Sequence, residues 1–303
     1  MTSKASPQED YNLACELFGK ATPQEFTEAV ARTEAAANAG LADAIAQLAT
    51  LDAVGAGRPR DFAHAFALLR KASDSGSTLA RSQLALLDEN LSPELARLLE
   101  VPKPVPLSES PRIRHFPGFA SAAVCDWIVE RVRKKLSPAL VWNSESESGT
   151  ADPVRSNSAV ELRLTEMDVV LAVLRARISA ATRLPEPIFE TPQAMHYAVG
   201  QQFRLHHDYL DPAVPAHVPD LRRRGQRIGT FLVYLNDDFE GGETEFPAAG
   251  IKFRGAKGDA LFFSNVSKKG EPDPRSMHIG RPPTSGEKWI LSQWIRDRAP
   301  PSG

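Results

Sequence analysis

In Tyr197-Ala-Val-Gly-Gln-Gln-Phe-Arg-Leu-His206-His207-Asp208-Tyr209, His206 and Asp208 stand two residues apart. On an extended strand both side chains project from one face and can grip one ion, while His207 alternates to the other face. A further imidazole, His278, comes later in the chain, on the approach to an apolar run that opens at Lys288-Trp289. Two imidazoles and one carboxylate form the ligand set of a non-haem Fe(II) facial triad, which leaves coordination positions open for a co-substrate and oxygen. The same ligands also suit a zinc-bound water, so oxygen chemistry and metal-assisted hydrolysis both stand at this point.

Gly229 to Asn236, Asp259 to Ser264 and Trp289 to Ile295 are short apolar runs bounded by turn residues. Their lengths and flanks predict strands packed in a sandwich or barrel, with the ligands pointing between two sheets. Phe189 to Val199 reads as the strand leading into His206, since Pro185 and Pro187 stop the helical pattern before it. Ser121 is the expected N-cap of a helix with Val124, Ile128, Val132 and Leu136 on one face. Thr165-Glu-Met-Asp168 has the form of a capping box ahead of Val169, Val173, Leu174 and Ile178.

The ordered set Tyr197-x-x-Gly200-Gln201-x-Phe203-x-x-His206-x-Asp208-Tyr209, Tyr234-Leu-Asn-Asp, Gly241-Gly242-Glu243-Thr244-Glu245-Phe246-Pro247, Gly258 to Asn265, His278-Ile-Gly-Arg-Pro282, Gly286-Glu-Lys288-Trp289 and Trp294-Ile-Arg296 resembles the prolyl 4-hydroxylase branch of the Fe(II)/2-oxoglutarate oxygenases. The resemblance spans residues 112–298 with the motifs in the family's order. It implies a double-stranded β-helix, or jelly roll, whose supporting helices brace the major sheet. It implies Fe(II) held by the catalytic residues His206, Asp208 and His278, with 2-oxoglutarate and O2 as co-substrates and L-ascorbate as a further cofactor.

In such enzymes the far carboxylate of 2-oxoglutarate needs a cation deep in the barrel. Lys288, ten positions after His278, matches that anchor, and a buried ammonium without a carboxylate partner expects its anion from the ligand. Tyr197 resembles the tyrosine that hydrogen-bonds the co-substrate, with Thr244 beside it and Trp294 as a neighbour. Arg155-Ser156, within the polar stretch Asn143 to Ser158, is similar to an Arg-x-Ser element of a loop that closes over substrate, which makes Arg155 a candidate substrate contact. Asp211 to Arg227, with Arg222-Arg-Arg224, is either a loop that clasps a peptide or a solvated one.

Halogenating relatives leave the carboxylate's coordination position open for chloride, whereas Asp208 fills it here, so hydroxylation with release of succinate and CO2 is expected. The substrate implied is a prolyl residue in a peptide or protein. Free proline or another small amino acid is the alternative substrate, and a non-catalytic peptide-binding module is the alternative outside enzymes.

Residues 1–100 are rich in Ala and Leu and read as helices. Ala35-Ala-Ala-Asn-Ala-Gly40 is echoed 36 residues later by Lys71-Ala-Ser-Asp-Ser-Gly76, and amphipathic segments Ala42 to Leu51 and Leu79 to Leu87 follow the two echoes. A period in the thirties with paired helices marks a solenoid repeat, and this one resembles Sel1-like repeats. The region is expected either to dock a peptide or protein or to cap an apolar flank of the catalytic domain. Val101 to Pro111 carries four prolines and reads as an extended linker. The expected architecture is therefore α+β in two domains: an all-α helical repeat region over 1–100, a linker over 101–111 and the oxygenase domain over 112–303.

A length of 303 residues suits two domains, and 42% hydrophobic with 24% charged residues describes an ordinary globular protein. A net charge of -2 offers no global field for nucleic acid or a membrane, and three arginines in one loop do not replace one. No apolar run approaches a membrane span, and the N-terminus lacks the apolar core of a signal peptide. Cys15 and Cys125 fall in different expected domains, which argues against a disulfide framework and for the cytoplasm. His64, His115, His196 and His217 have no motif support as ligands.

Overall fold

The computed structural model describes residues 6–20, 22–87, 98–139, 141–142, 149–150 and 155–300. The chain divides into two compact units, Met1–Glu100 with Arg163–Ala180, and Val101–Leu162 with Ala181–Gly303.

The first unit carries helices Pro7–Phe18, Pro23–Asn38, Ala42–Val54, Phe62–Asp74 and Thr78–Leu87. Ser6, Thr22 and Asp61 cap three of them by accepting from backbone amides of the first turn, which satisfies donors a helix start leaves open. Alanine dominates the contacts: Ala44, Ala46, Ala49 and Ala53 of the third helix are buried beside Ile45, Leu48 and Leu51. The echoed glycines have matching roles, Gly40 at φ 88° and Gly76 at φ 105°, each after a helix end and before the next helix. That left-handed conformation is open to glycine and strained for other residues. His64 bonds through Nδ1 to buried Asp52 at 2.5 Å, which gives it a partner within this unit.

Helix Val169–Thr182 differs from expectation in two ways. Its cap is Asp168, whose Oδ1 accepts from Leu171 N at 2.7 Å, while Thr165 lies in the preceding turn. Most of the helix also groups with the helical unit: Gln83 Oε1 accepts from Val169 N at 2.9 Å, and Arg177 donates to Leu98 O at 3.0 Å. Its first six residues, Val169 to Leu174, are all buried. An apolar periodicity says that a helix must be covered, not by what.

The second unit is built on strands β1 Val105–Glu109, β2 Arg112–Phe116, β3 Ser137–Pro138, β4 Val141–Trp142, β5 Gly149–Thr150, β6 Ser158–Glu161, β7 Gln193–Tyr197 and β8 Phe203–His206. They continue with β9 Arg227–Tyr234, β10 Glu240–Gly241, β11 Thr244–Phe246, β12 Ile251–Phe253, β13 Ala260–Ser264, β14 His278–Gly280, β15 Pro283–Ser285 and β16 Lys288–Arg296. An eight-stranded antiparallel sheet runs β1-β2-β13-β9-β16-β7-β6-β3, and a four-stranded one runs β12-β11-β14-β8. The core joins Tyr197, Leu232, Tyr234, Phe263, Ile290 and Trp294 of the large sheet with Phe246 of the small one, and Phe203, Ile251 and Phe253 pack against it. Helix Ala122–Val132 starts as expected at Ser121, whose Oγ accepts from Val124 N at 3.3 Å, and ends before Leu136.

The proline-rich segment is not a linker throughout. β1 pairs with β2 at the edge of the large sheet, with Val105 opposite His115 and Glu109 opposite Arg112. Proline cannot donate to a ladder, but an edge strand has a side that needs no donor, so Pro106 is tolerated there.

Gly258 marks a close backbone approach: at φ +90° an added Cβ would lie 2.1 Å from Ala120 O. Its amide donates to Tyr234 O at 2.8 Å and its carbonyl accepts from Ala120 N at 2.9 Å. Gly258→Ala is expected to lower stability by at least about 2 kcal/mol, read as a lower midpoint in chemical denaturation. An unchanged midpoint would contradict this packing.

Candidate metal centre

β8 and β14 pair so that His206 and His278 are direct cross-strand partners, with ring centroids 4.2 Å apart. Asp208 reaches the same place by a different route from simple alternation. β8 ends at His206, and Asp208 sits in the bend that follows. Thr230 of β9 holds it there, donating from Oγ1 to Asp208 Oδ2 at 2.6 Å. One ligand atom from each of the three side chains lies within 4.8 Å of the others. His206 Nε2 is 3.6 Å from Asp208 Oδ1, and His278 Nε2 is 3.8 Å from Asp208 Oδ2.

Both imidazoles are oriented by the backbone. His206 Nδ1 donates to Arg204 O at 2.6 Å and His278 Nδ1 to Ser276 O at 3.1 Å. A carbonyl only accepts, so each Nδ1 carries a proton and each ring turns its Nε2 toward Asp208. Phe203 stacks on His206 with centroids 3.4 Å apart, and Phe263 meets His278 edge-on at 4.6 Å.

Burial pushes the Asp208 carboxyl up, but His278, His206 and the Thr230 hydrogen bond outweigh it and hold the group well below the usual carboxylate range. Burial, aided by His206, brings His278 down to about 4, so it is neutral at pH 7. A carboxylate oxygen and two imidazole nitrogens in one cluster suit a divalent metal that keeps further coordination positions open. His207 is outside this cluster and packs its ring on Tyr209 at 3.8 Å. His115 and His196 pair with Asp259 and Glu287 at 2.9 and 2.8 Å, and His217 meets Asp211 O at 3.0 Å.

Lys288 opens β16 opposite Tyr197 of β7. It is 1% exposed and donates to Gly242 O at 2.7 Å. Its Nζ lies 5.3 and 5.5 Å from the ring centres of Tyr197 and Tyr234. Among the described residues no carboxylate makes an ion pair with it. Burial brings this ammonium down to about 7, against a weaker opposing pull from Glu243. Thr244 Oγ1 is 2.8 Å from Tyr234 OH. A single cavity is lined by His206, Asp208, His278, Lys288, Tyr197, Thr244 and Trp294, with Met195, Leu232 and Ile290 as apolar walls. A buried cation facing a cavity beside a metal-ligand set fits a small anion that also meets the metal.

Arg155 is not among the lining residues. It is buried, donates from Nε to Asn157 Oδ1 at 3.1 Å and from a terminal nitrogen to Gln193 Oε1 at 3.2 Å, and lies 5.1 Å from the Phe203 ring centre. Its side chain therefore backs the ring that stacks on His206. Most of the polar stretch from Asn143 falls outside the described residues. The Asp211 to Arg227 segment contains the short helix Val218–Arg224 and is closed at its base by Gln226, which accepts from Leu210 N and donates to Leu210 O, both at 2.7 Å. Arg224 pairs with Asp220 at 2.7 Å, leaving Arg222 and Arg223 exposed. Sequence reasoning passed over Thr230 and Asn265, although a threonine hydroxyl inside the apolar run Gly229 to Asn236 was a signal that it had a polar partner.

The 2OG-Fe(II) oxygenase superfamily matches residues 192–296, the segment that holds all three candidate ligands and Lys288. Prolyl 4-hydroxylase 1 of Arabidopsis thaliana is 34% identical over 220 residues, covering 68% of this chain and 76% of that protein. Prolyl 4-hydroxylase 13 of the same plant is 31% identical over 208 residues, covering 63% and 73%. Among solved structures, the viral collagen prolyl hydroxylase from Paramecium Bursaria Chlorella virus-1, in its 2OG complex, is 26% identical, covers 60% of this chain and 94% of its own, and has a TM-score of 0.47.

The lowered Lys288 pKa links stability to pH. Between about 7 in the folded state and 10.5 unfolded, the unfolded chain binds the extra proton, so stability rises with pH across that window. The expected gain is up to about 1.4 kcal/mol per pH unit from this group. Urea midpoints of the wild type and Lys288→Met at pH 7 to 10 check it: the variant should start more stable, and its advantage should shrink as pH rises.

Proposed function

The chain belongs to the 2OG-Fe(II) oxygenase superfamily as a relative of the prolyl 4-hydroxylases, and from that premise we propose that it hydroxylates a prolyl residue in a peptide or protein, consuming 2-oxoglutarate and O2 and releasing succinate and CO2. The observation that carries this reading is Lys288, a buried ammonium with no ion-pair partner among the described residues, lining the same cavity as His206, Asp208 and His278.

His206, Asp208 and His278 would hold Fe(II) through two imidazole nitrogens and a carboxylate oxygen. Bound there, Fe(II) supplies oxygen activation coupled to oxidative decarboxylation of 2-oxoglutarate. The chain's own part is to bind, orient and keep the site dry. Lys288 takes the far carboxylate of 2-oxoglutarate, an anion that meets the charge buried in the cavity wall. Tyr197 and Thr244 line the path beside it, and Trp294 offers an indole N–H that is buried without a partner among the described residues. Met195, Leu232 and Ile290 exclude water from the cavity. Arg155 acts on the substrate side by setting Phe203 against His206, and no separate general base is needed.

The two antiparallel sheets read as the major and minor sheets of a double-stranded β-helix, with L-ascorbate as an accessory cofactor. The domains follow as a Sel1-like helical region that docks a peptide or protein and an oxygenase region after it; the matched positive-φ glycines Gly40 and Gly76 support the repeat. Cys15 and Cys125 are both free thiols, which supports a cytoplasmic protein.

Oxygen-dependent succinate release should disappear in His206→Ala and Asp208→Ala, and its persistence in a metal-saturated Asp208→Ala protein would sink the proposal. Lys288→Ala should weaken 2-oxoglutarate binding by about 30-fold or more while leaving Fe(II) affinity nearly unchanged, as measured by anaerobic titration. Mass spectrometry of proline-containing peptides should show a gain of one oxygen on proline, which free proline in the same assay should not show.

A further inference from the structure

Asp208 offers two carboxylate oxygens, and one of them already accepts a hydrogen bond from outside the ligand cluster. Thr230 Oγ1, in a residue 1% exposed, lies 2.6 Å from Asp208 Oδ2, and Asn265 Nδ2, in a residue fully buried, lies 3.1 Å from Thr230 Oγ1. The direction of these bonds follows from the donors at hand. An ionised carboxylate only accepts, so the Thr230 hydroxyl directs its single proton to Oδ2. Asn265 must then donate to the hydroxyl oxygen. The opposite amide orientation would place two acceptors around one hydroxyl proton.

The rest of Asn265 is consistent with an amide kept for its N–H end. Its Oδ1 is buried with no hydrogen-bond partner among the described residues. Such an orphaned acceptor is unfavourable and persists only where the other end of the group is needed. The backbone around it is fixed, with Asn265 N donating to Ile228 O and its carbonyl accepting from Asp273 N, both at 3.0 Å. The backbone that carries the amide is therefore held beside β9.

We propose that Thr230, oriented by Asn265, is a positioning residue that decides which oxygen of Asp208 binds the metal. Both oxygens face the cluster, Oδ1 at 3.6 Å from His206 Nε2 and Oδ2 at 3.8 Å from His278 Nε2. The hydroxyl draws on Oδ2 alone, which makes Oδ1 the better donor and favours coordination through one oxygen over chelation through two. A chelating carboxylate would occupy a further coordination position, one that a co-substrate or oxygen needs. This rests on the reading of His206, Asp208 and His278 as the metal ligands. It adds a control on their geometry that lies outside the ligand set, on β9 and just after β13.

The test uses the full chain under argon, titrated with ferrous iron and then with 2-oxoglutarate, as wild type, Thr230→Val, Thr230→Ser and Asn265→Ala. The readouts are the Fe(II) dissociation constant, the near-infrared ligand-field bands and the visible charge-transfer band formed with 2-oxoglutarate. Thr230→Val removes the hydroxyl and is expected to weaken Fe(II) binding about 10- to 100-fold and to shift the ligand-field bands. Thr230→Ser keeps the hydroxyl and should retain both, and Asn265→Ala should move them in the direction of Thr230→Val by less. A Thr230→Val protein with wild-type affinity and spectrum would overturn the proposal, as would Thr230→Ser behaving like Thr230→Val, which would mean packing and not the hydroxyl is responsible. Should Thr230→Val fail to fold, Asn265→Ala with a wild-type spectrum would overturn it equally. A wild-type protein that binds no Fe(II) would instead remove the metal centre itself, and this inference with it.

Discussion

The register between β8 and β14 is the constraint from which the rest of the centre follows. His206 and His278 meet because they are paired across two antiparallel strands, and the side-chain period of a strand is two. A slip of one residue would bring His207 to the cavity and send His206 out. Phe203 on His206 and Phe246 and Phe263 around His278 add apolar packing that such a slip would break. The imidazoles are thus placed by strand pairing, aimed by the Arg204 and Ser276 carbonyls, and completed by a carboxylate that arrives from beyond the strand end.

Two kinds of buried charge in the same unit make the role of Lys288 stand out. Glu190 accepts from Nε and one terminal nitrogen of Arg227 at 2.6 and 3.0 Å and from Arg296 Nε at 2.5 Å. Arg296 also reaches Gly225 O and Asp220 Oδ2, each at 2.6 Å. Burial pushes the Glu190 carboxyl up, but Arg227 and Arg296 hold it below its ordinary range. This network is satisfied from within and ties the Val218–Arg224 helix to β16. Lys288, at the other end of the same strand, has one backbone carbonyl and two aromatic faces. Buried charges are ordinarily paired, and Lys288 has no ion-pair partner among the described residues.

The helical unit obeys simpler physics. Small side chains let its helices approach closely, and glycines at positive φ turn the chain between them. It also recruits Val169–Thr182 from the middle of the chain. That helix was legible as a helix, and its capping residue was misplaced by three positions because Thr165 and Asp168 are both good caps and only the backbone path chooses between them.

Residue types and spacing determined much by themselves: the cluster of His206, Asp208 and His278, the buried Lys288 beside it, the strands Arg227–Tyr234, Ala260–Ser264 and Lys288–Arg296, and the helical character of the described part of the first hundred residues. These are local or motif properties, carried by side-chain chemistry and by periods of two and 3.6. Tertiary structure alone decided that Asp208 leaves the strand and is caught by Thr230, that Pro106 sits in an edge strand, that Arg155 backs Phe203, and that Val169–Thr182 joins the helices. Each of these depends on what a distant segment places alongside, and a sequence states which groups need a partner without stating which partner arrives.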